Sequence, residues 1–414
     1  MKSLILTSLL LSSASAAAVN KKVSYDGFKV FRVSAGDNLA AVEDTVTALG
    51  LDKWIDGAEN TGHLDVVVAP KQLQAFEEAG LNSTVMHDDL GVSIAAQEQV
   101  SAFAAADITF FNSYHPYAEH LQFMRDLVAK YPNNAEIVTS GTTVQGRPIT
   151  GIHIWGAGGK GTKKAVVFHS TVHAREWITT MVSQYTAYFM LSSYATDATV
   201  KAFVDKYDYY IFPVVNPDGF VYSQTTDRLW RKNRATNAGS SCIGTDVNRN
   251  WPYQWVGSGS STNPCSESFR GPSQGSSPEV KGLYGYLNRL RDTTGIKMYI
   301  DWHAYSQLFM TPYGYSCTTV SAKNTELQSL ARGFATAAQA LYGTPFKTGP
   351  ICNTIYPVNG DSVDYANDVS RAEYTFTAEL RDTGTYGFVL PPNQIVPSVR
   401  EAWAGTAYLL TNLR

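Results

Sequence analysis

Apolar positions along the chain fall into two regimes. Between residues 20 and 100, short alternating or apolar runs at 27–33, 63–69 and 81–87 predict strands, and periodic segments at 39–49 and 71–79 predict helices. Asn38 is placed to cap the first of these helices. Interleaved in this way, the elements predict a small α+β antiparallel sandwich. Residues 94–107, rich in Ala, Ser and Gln, carry little pattern and read as a linker. From 108 onward strands and helices alternate. Strands are predicted at 136–143, 148–155, 165–168, 207–215, 297–302 and 374–380, and helices at 120–130, 177–191, 277–290, 325–341 and 392–413. Asn216-Pro-Asp-Gly219 reads as a turn, and no internal repeat is present. This second unit is predicted to be α/β, a mixed, mostly parallel twisted sheet with helices on both faces.

In such sheets ligands bind beyond the carboxyl ends of the strands. His173, Asn216, His303 and Glu379 all follow or end apolar runs. His173-Ala-Arg-Glu-Trp177 places a His and a Glu three apart where a strand meets a helix, so both can face one point. A catalytic zinc is held by three protein ligands with water in the fourth position, and His303 is the candidate third ligand. No His-Glu-x-x-His occurs, which excludes the helix-borne arrangement. Glu379, in a mostly apolar run, is a candidate proton acceptor. Arg381 lies on the same face by alternation, and an ion pair between the two would make Glu379 structural instead. Asp246 is a candidate acceptor for the free ring nitrogen of a ligating His. Arg228, Arg231, Arg234 and Arg249 lie in predicted loops, where guanidinium groups can bind carboxylates bidentately.

A length of 414 residues implies more than one domain. The net charge of -3 gives no reason to expect nucleic acid or an anionic membrane as a partner. The charge is unevenly spread. Residues 17–100 hold 6 Lys+Arg against 13 Asp+Glu, or -7, and residues 101–414 hold 26 against 23, or +3. That asymmetry would help the two units dock. Residues 1–16 read as a secretory signal, with Lys2, an apolar stretch at 4–11 and Ala14-Ser15-Ala16. An exported chain makes Asn82-Ser-Thr84 a usable glycosylation acceptor, and makes two disulfides the expectation for Cys242, Cys265, Cys317 and Cys352. Proximity suggests Cys242–Cys265 and Cys317–Cys352 among three possible pairings.

Six motifs, His173-Ala-Arg-Glu-Trp, Asn216-Pro-Asp-Gly-Phe, Trp230-Arg-Lys, Asp246-Val-Asn-Arg-Asn-Trp, His303-Ala-Tyr-Ser-Gln and Glu379-Leu-Arg-Asp-Thr-Gly, resemble in content and order those of the zinc metallocarboxypeptidases of the carboxypeptidase A/B type. The resemblance runs from about Thr109 to the C-terminus, and the first unit resembles that family's pro-domain more weakly. It implies a signal at 1–16, a pro-domain and activation linker at 17–107 and a catalytic domain at 108–414. It implies one Zn2+ per chain on His173, Glu176 and His303, with Glu379 as proton carrier and Arg231 stabilising the oxyanion. Asn248, Arg249 and Tyr356 would grip the substrate's terminal carboxylate, with Arg175 in support. The family's cysteine positions favour the same two disulfides.

Val363, where basic-specific members carry an acid, implies a preference for apolar or aromatic C-terminal residues, with Ile351 as a pocket wall. Two departures stand against it. Asp361 replaces a common Gly and Asp301 a common small residue, and either carboxylate would make the pocket more tolerant of basic residues. The implied protein is a secreted zymogen and a monomer. Its partners would be peptide C-termini, an activating protease and its own inhibitory pro-domain, with no nucleic acid or membrane. Since no Lys or Arg lies between Lys71 and Arg125, a trypsin-like protease has no bond to cut in the linker. Two other readings are a zinc deacylase of the aspartoacylase type and an inactive carboxypeptidase-like binding module.

Overall fold

The computed structural model describes residues 22–55, 57, 60–99, 103 and 105–414. The expected signal segment, 1–16, lies outside them. Strands β1 (Lys29–Ser34), β2 (Asp52–Lys53), β3 (His63–Val68) and β4 (Ser83–His87) form an antiparallel sheet in the order β2-β3-β1-β4. Alternation along β1 and β3 sorts their side chains onto two faces. Val33, Leu64 and Val66 pack under the helices Leu39–Ala48 and Leu73–Glu78, against Val46 and Phe76. Val30 and Val67 face the other way and join the core of the second unit.

The second sheet is built from β5 (Ala135–Thr142), β6 (Pro148–Ile154), β7 (Ala165–Ser170), β8 (Asp208–Phe212), β9 (Ile296–Ala304), β10 (Leu308–Thr311), β11 (Lys347–Pro350) and β12 (Tyr374–Leu380). Their order is β11-β10-β12-β9-β7-β8-β6-β5, and β12, β9, β7 and β8 run parallel at the centre. β9 is buried on both sides. Met298, Ile300 and Trp302 face a core shared with the helices Trp177–Ser193, Asn324–Tyr342 and Ile395–Asn412. The odd-numbered residues face the layer of the helices Pro278–Thr293 and Ser362–Asp368. Disulfides join Cys242 to Cys265 and Cys317 to Cys352. No helix among the described residues is long and apolar enough to cross a membrane.

Several elements depart from their sequence-based readings. Asn216-Pro-Asp-Gly219 is a helix start, not a free turn. Asn216 Oδ1 accepts from Gly219 N at 3.1 Å and Pro217 takes the first helical position, where its missing N–H costs nothing. The linker is shorter than expected, because Leu90–Gln97 is helical, capped by Asp89, with Leu90 and Ile94 buried. Asn38 occupies an N-cap position, but its side chain makes no capping hydrogen bond. The helix Ala198–Lys206 and the short strands β10 and β11 have no counterpart in the sequence reading.

The two units meet through hydrogen bonds and aromatic packing. Arg32 pairs with Asp65 at 2.7 Å and also donates to the carbonyl of Thr383, while Tyr305 donates to Asp65 at 2.5 Å. Trp54 sits edge-on to Tyr305 and Phe388. Two glycines make this approach possible: a Cβ on Gly384 would meet Arg32 at 2.0 Å, and one on Gly387 would meet Trp54 at 2.5 Å. Gln97 closes the interface, accepting from Arg228 Nε at 2.7 Å and donating to the carbonyls of Phe388 and Leu390.

Arg381 is not the partner of Glu379. It makes a two-pronged ion pair with the buried Glu401, at 2.7 and 2.6 Å, and β12 is an interior strand, not an edge. Removing one member of such a pair strands the other. Glu401→Ala is therefore expected to destabilise the protein by roughly 3–5 kcal/mol, read as a lower denaturant midpoint. A midpoint unchanged from the parent chain would contradict the pairing.

Candidate active site

The parallel centre of the sheet assembles the chemistry at its carboxyl ends. His173 follows β7, Glu176 immediately precedes the helix Trp177–Ser193, and His303 ends β9. Glu379, near the end of β12, is directly in register with His303. The structure thus brings together residues 130 positions apart.

His173, Glu176 and His303 converge and are buried. His173 Nδ1 lies 2.7 Å from Glu176 Oε1 and 3.2 Å from His303 Nδ1, and His303 Nδ1 lies 3.3 Å from Glu176 Oε2. Donors about 2.0–2.2 Å from a tetrahedral zinc stand roughly 3.3–3.5 Å from one another, so the spacing fits that ion. The ring orientation fits it as well. His173 Nε2 points away, to Asp246 Oδ1 at 3.3 Å, which leaves the Nδ1 lone pair facing the convergence point. Although burial works against it, the neighbouring imidazoles hold the Glu176 carboxyl below the usual carboxylate range.

Asp246 is the polar hub behind this point. It accepts from Arg231 Nε and Nη2 at 3.1 and 2.9 Å, from Asn248 N at 2.8 Å, and lies 3.9 Å from Arg249. Burial raises its pKa, but Arg231, His173 and Arg249 outweigh that and hold it well below the usual range. Arg231 and Arg249 are therefore buried parts of one network, whereas the half-buried Arg234 stacks over Tyr222 and Trp230. Arg228, stacked 3.9 Å over Trp177, lies in the interface described above.

Glu379 is half-buried and lines the cavity that His173, His303, Asn248, Arg249 and Tyr356 also line. Poor hydration pushes its carboxyl up to about 8. His303 and Arg231 oppose the rise, and Glu176 and Asp301 add to it. Arg231 faces a second opening of the same cleft with Glu379, bordered by Trp54 and Ile55 from the first unit. Arg175, expected beside the carboxylate grip, lies apart from it. It donates to Leu229 O at 3.4 Å and Glu267 at 3.3 Å, in a cleft shared with Asp52 and Trp54.

Ile351 and Val363 line the cavity together with Asp361. Met310, Ile355 and Val358 extend its apolar wall and escaped the sequence reading. The apolar run Leu308–Met310 is the signal from which Met310 was available. Asp361 caps the helix Ser362–Asp368 through Oδ1, at 2.9 Å from both Val363 N and Asp364 N, and burial pushes its carboxyl up. Asn82 is exposed at the start of β4.

The parallel centre of a mixed sheet here carries two imidazoles, a carboxylate and a nearby second acid, the donor set of an α/β metalloenzyme. The comparisons make the class specific. Residues 120–405 match the zinc carboxypeptidase family, residues 31–97 match the carboxypeptidase activation peptide, and the chain belongs to that zinc carboxypeptidase family. Metallocarboxypeptidase A of Trichophyton rubrum is 48% identical, with 99% of each chain covered. Carboxypeptidase A2 of Mus musculus is 37% identical over 88% of each. Among solved structures, thrombin activatable fibrinolysis inhibitor superposes with a TM-score of 0.86 at 28% identity, covering 93% of this chain and 98% of that one. Carboxypeptidase A from Helicoverpa armigera gives 0.80 at 27% identity, covering 94% and 98%. The protein is thus a zinc metallocarboxypeptidase, A-like, in proenzyme form with its activation peptide.

Proposed function

We propose that the chain removes single apolar or aromatic residues from peptide C-termini, with Glu379 as its base, and that a protease other than a trypsin-like one releases it from its pro-domain. The observation that carries this is one cavity lined by the proton acceptor, two metal-facing imidazoles, the Asn248–Arg249–Tyr356 grip and an apolar wall. His173, Glu176 and His303 would hold zinc, which when bound polarises the scissile carbonyl and lowers the pKa of a water. Glu379 takes the proton from the attacking water and delivers it to the leaving amine. Arg231, oriented by Asp246, donates to the oxyanion as it forms. Asn248, Arg249 and Tyr356 bind the terminal carboxylate, and a blocked C-terminus is rejected because the grip would be left unsatisfied. This grip favours peptide C-termini over the deacylase reading, and a full set of ligands and base argues against an inactive module.

Trp54 and Ile55 border the cleft from the pro-domain side, which supports inhibition by that domain. Secretion after loss of residues 1–16 and glycosylation at the exposed Asn82 complete the proposal.

Four outcomes are expected. Glu379→Gln should lower kcat by roughly 10²–10⁴-fold while zinc is retained. The parent enzyme's kcat/KM should rise with pH as Glu379 ionises, on a limb below 8, since a bound cation favours the carboxylate. Unchanged hydrolysis in the variant would remove Glu379 from its role. Across blocked dipeptides differing only in the last residue, Phe and Leu should be cleaved fastest and Lys and Arg slowest, and the reverse order would overturn the apolar preference. Trypsin should leave the linker intact where a broad-specificity protease cuts it and releases activity, and efficient tryptic activation would refute that part.

A further inference from the structure

The two imidazoles of the site are oriented in matching ways, and only one of the two devices was anticipated. His303 Nδ1 faces the convergence point, and its other nitrogen, Nε2, lies 3.3 Å from Asp301 Oδ2. Asp301 precedes His303 by two residues on β9, so the pleat puts both side chains on one face. Ser362 donates its hydroxyl to the same Asp301 oxygen, which ties the carboxylate to the start of the helix that carries Val363. Asn248 does not replace it. Its amide nitrogen is 3.5 Å from His303 Nε2, and its oxygen already accepts from Ser362 N at 2.9 Å.

We propose that Asp301 is a positioning residue for the metal centre: it accepts a hydrogen bond from His303 Nε2 and so holds the ring with Nδ1 turned to the ion. The inference rests on the reading of His173, Glu176 and His303 as zinc ligands. Its electrostatics support it. Asp301 is 1% exposed, its Oδ1 has no hydrogen-bond partner, and no Lys or Arg pairs with it among the described ion pairs, His303 being its one contact there. A carboxylate buried without a Lys or Arg is costly, and a divalent cation on the far side of the imidazole supplies the missing positive charge. Asp246 does the same for His173, but it also serves Arg231 and Arg249. Among the described residues Asp301 serves no arginine, and its other side-chain contact is the Ser362 hydroxyl. This placement also accounts for one of the two departures from the family pattern: Asp301 is turned toward His303 and is not among the residues lining the specificity cavity, whereas Asp361 is.

The test uses the full chain, stripped of metal, with zinc affinity read by competition against a chromophoric chelator. Asp301→Ala is expected to weaken zinc binding by about 10–100-fold, and Asp301→Asn, which keeps an acceptor oxygen, to recover most of that loss. A loss below about tenfold in Asp301→Ala, or equal losses in the two variants, would overturn the proposal. Should Asp301→Ala not fold, the zinc-loaded parent chain decides: ¹⁵N-detected imidazole spectra should show a protected Nε2–H on His303 as well as on His173, and an unprotected or deprotonated His303 Nε2 would overturn it. A parent chain that binds no zinc would instead overturn the ligand assignment on which the proposal stands.

Discussion

Asp246 is the interaction on which the site depends. A carboxylate buried alone would give up its charge, yet this one is held ionised by two arginines and an imidazole and also accepts from the backbone N–H of Asn248. In satisfying it, the chain draws together the turn after β7 and the loop that carries Arg231, Asn248 and Arg249. The orientations of the His173 ring, of Arg231 and of the Asn248–Arg249 segment are thus set by one buried anion. Such a network holds because every member is partnered, and losing one leaves charge exposed to an apolar interior.

Much of this was legible in the sequence where short spacing carried the information. His173 and Glu176 are three apart, and β12 was read at both of its ends because Tyr374, Phe376, Ala378 and Leu380 alternate along it. Adjacency across the sheet was not legible. That Glu379 and His303 are neighbours follows from β12 pairing with β9, a register no local pattern encodes. The same holds for Arg381. Alternation placed it beside Glu379, but a longer side chain reached Glu401 on the final helix. The helix Leu90–Gln97 was hidden by its Ala- and Ser-rich composition, and its stability comes from burying Leu90 and Ile94 against the second unit.

The pro-domain interface shows charge asymmetry in a lesser role than composition suggested. The contacts described at its centre are a tyrosine hydroxyl on Asp65, an arginine on a backbone carbonyl, and Trp54 among aromatic rings. Directional bonds of this kind fix one docking pose, which net charge cannot do. Gly384 and Gly387 extend the point, since the catalytic unit keeps two positions without side chains where the pro-domain presses closest.

The strand order carries a consequence for how the molecule comes into being. β12, the last strand made, lies between β9 and β10, both synthesised earlier. Until residue 380 has emerged, the place between β9 and β10 has no strand to fill it, and that place is where Glu379 belongs. The stretches that carry His173, Glu176 and His303 all precede it in the chain, and Glu379 comes last. Of the four side chains gathered at the site, the one on the strand that completes the sheet is thus the last to be synthesised.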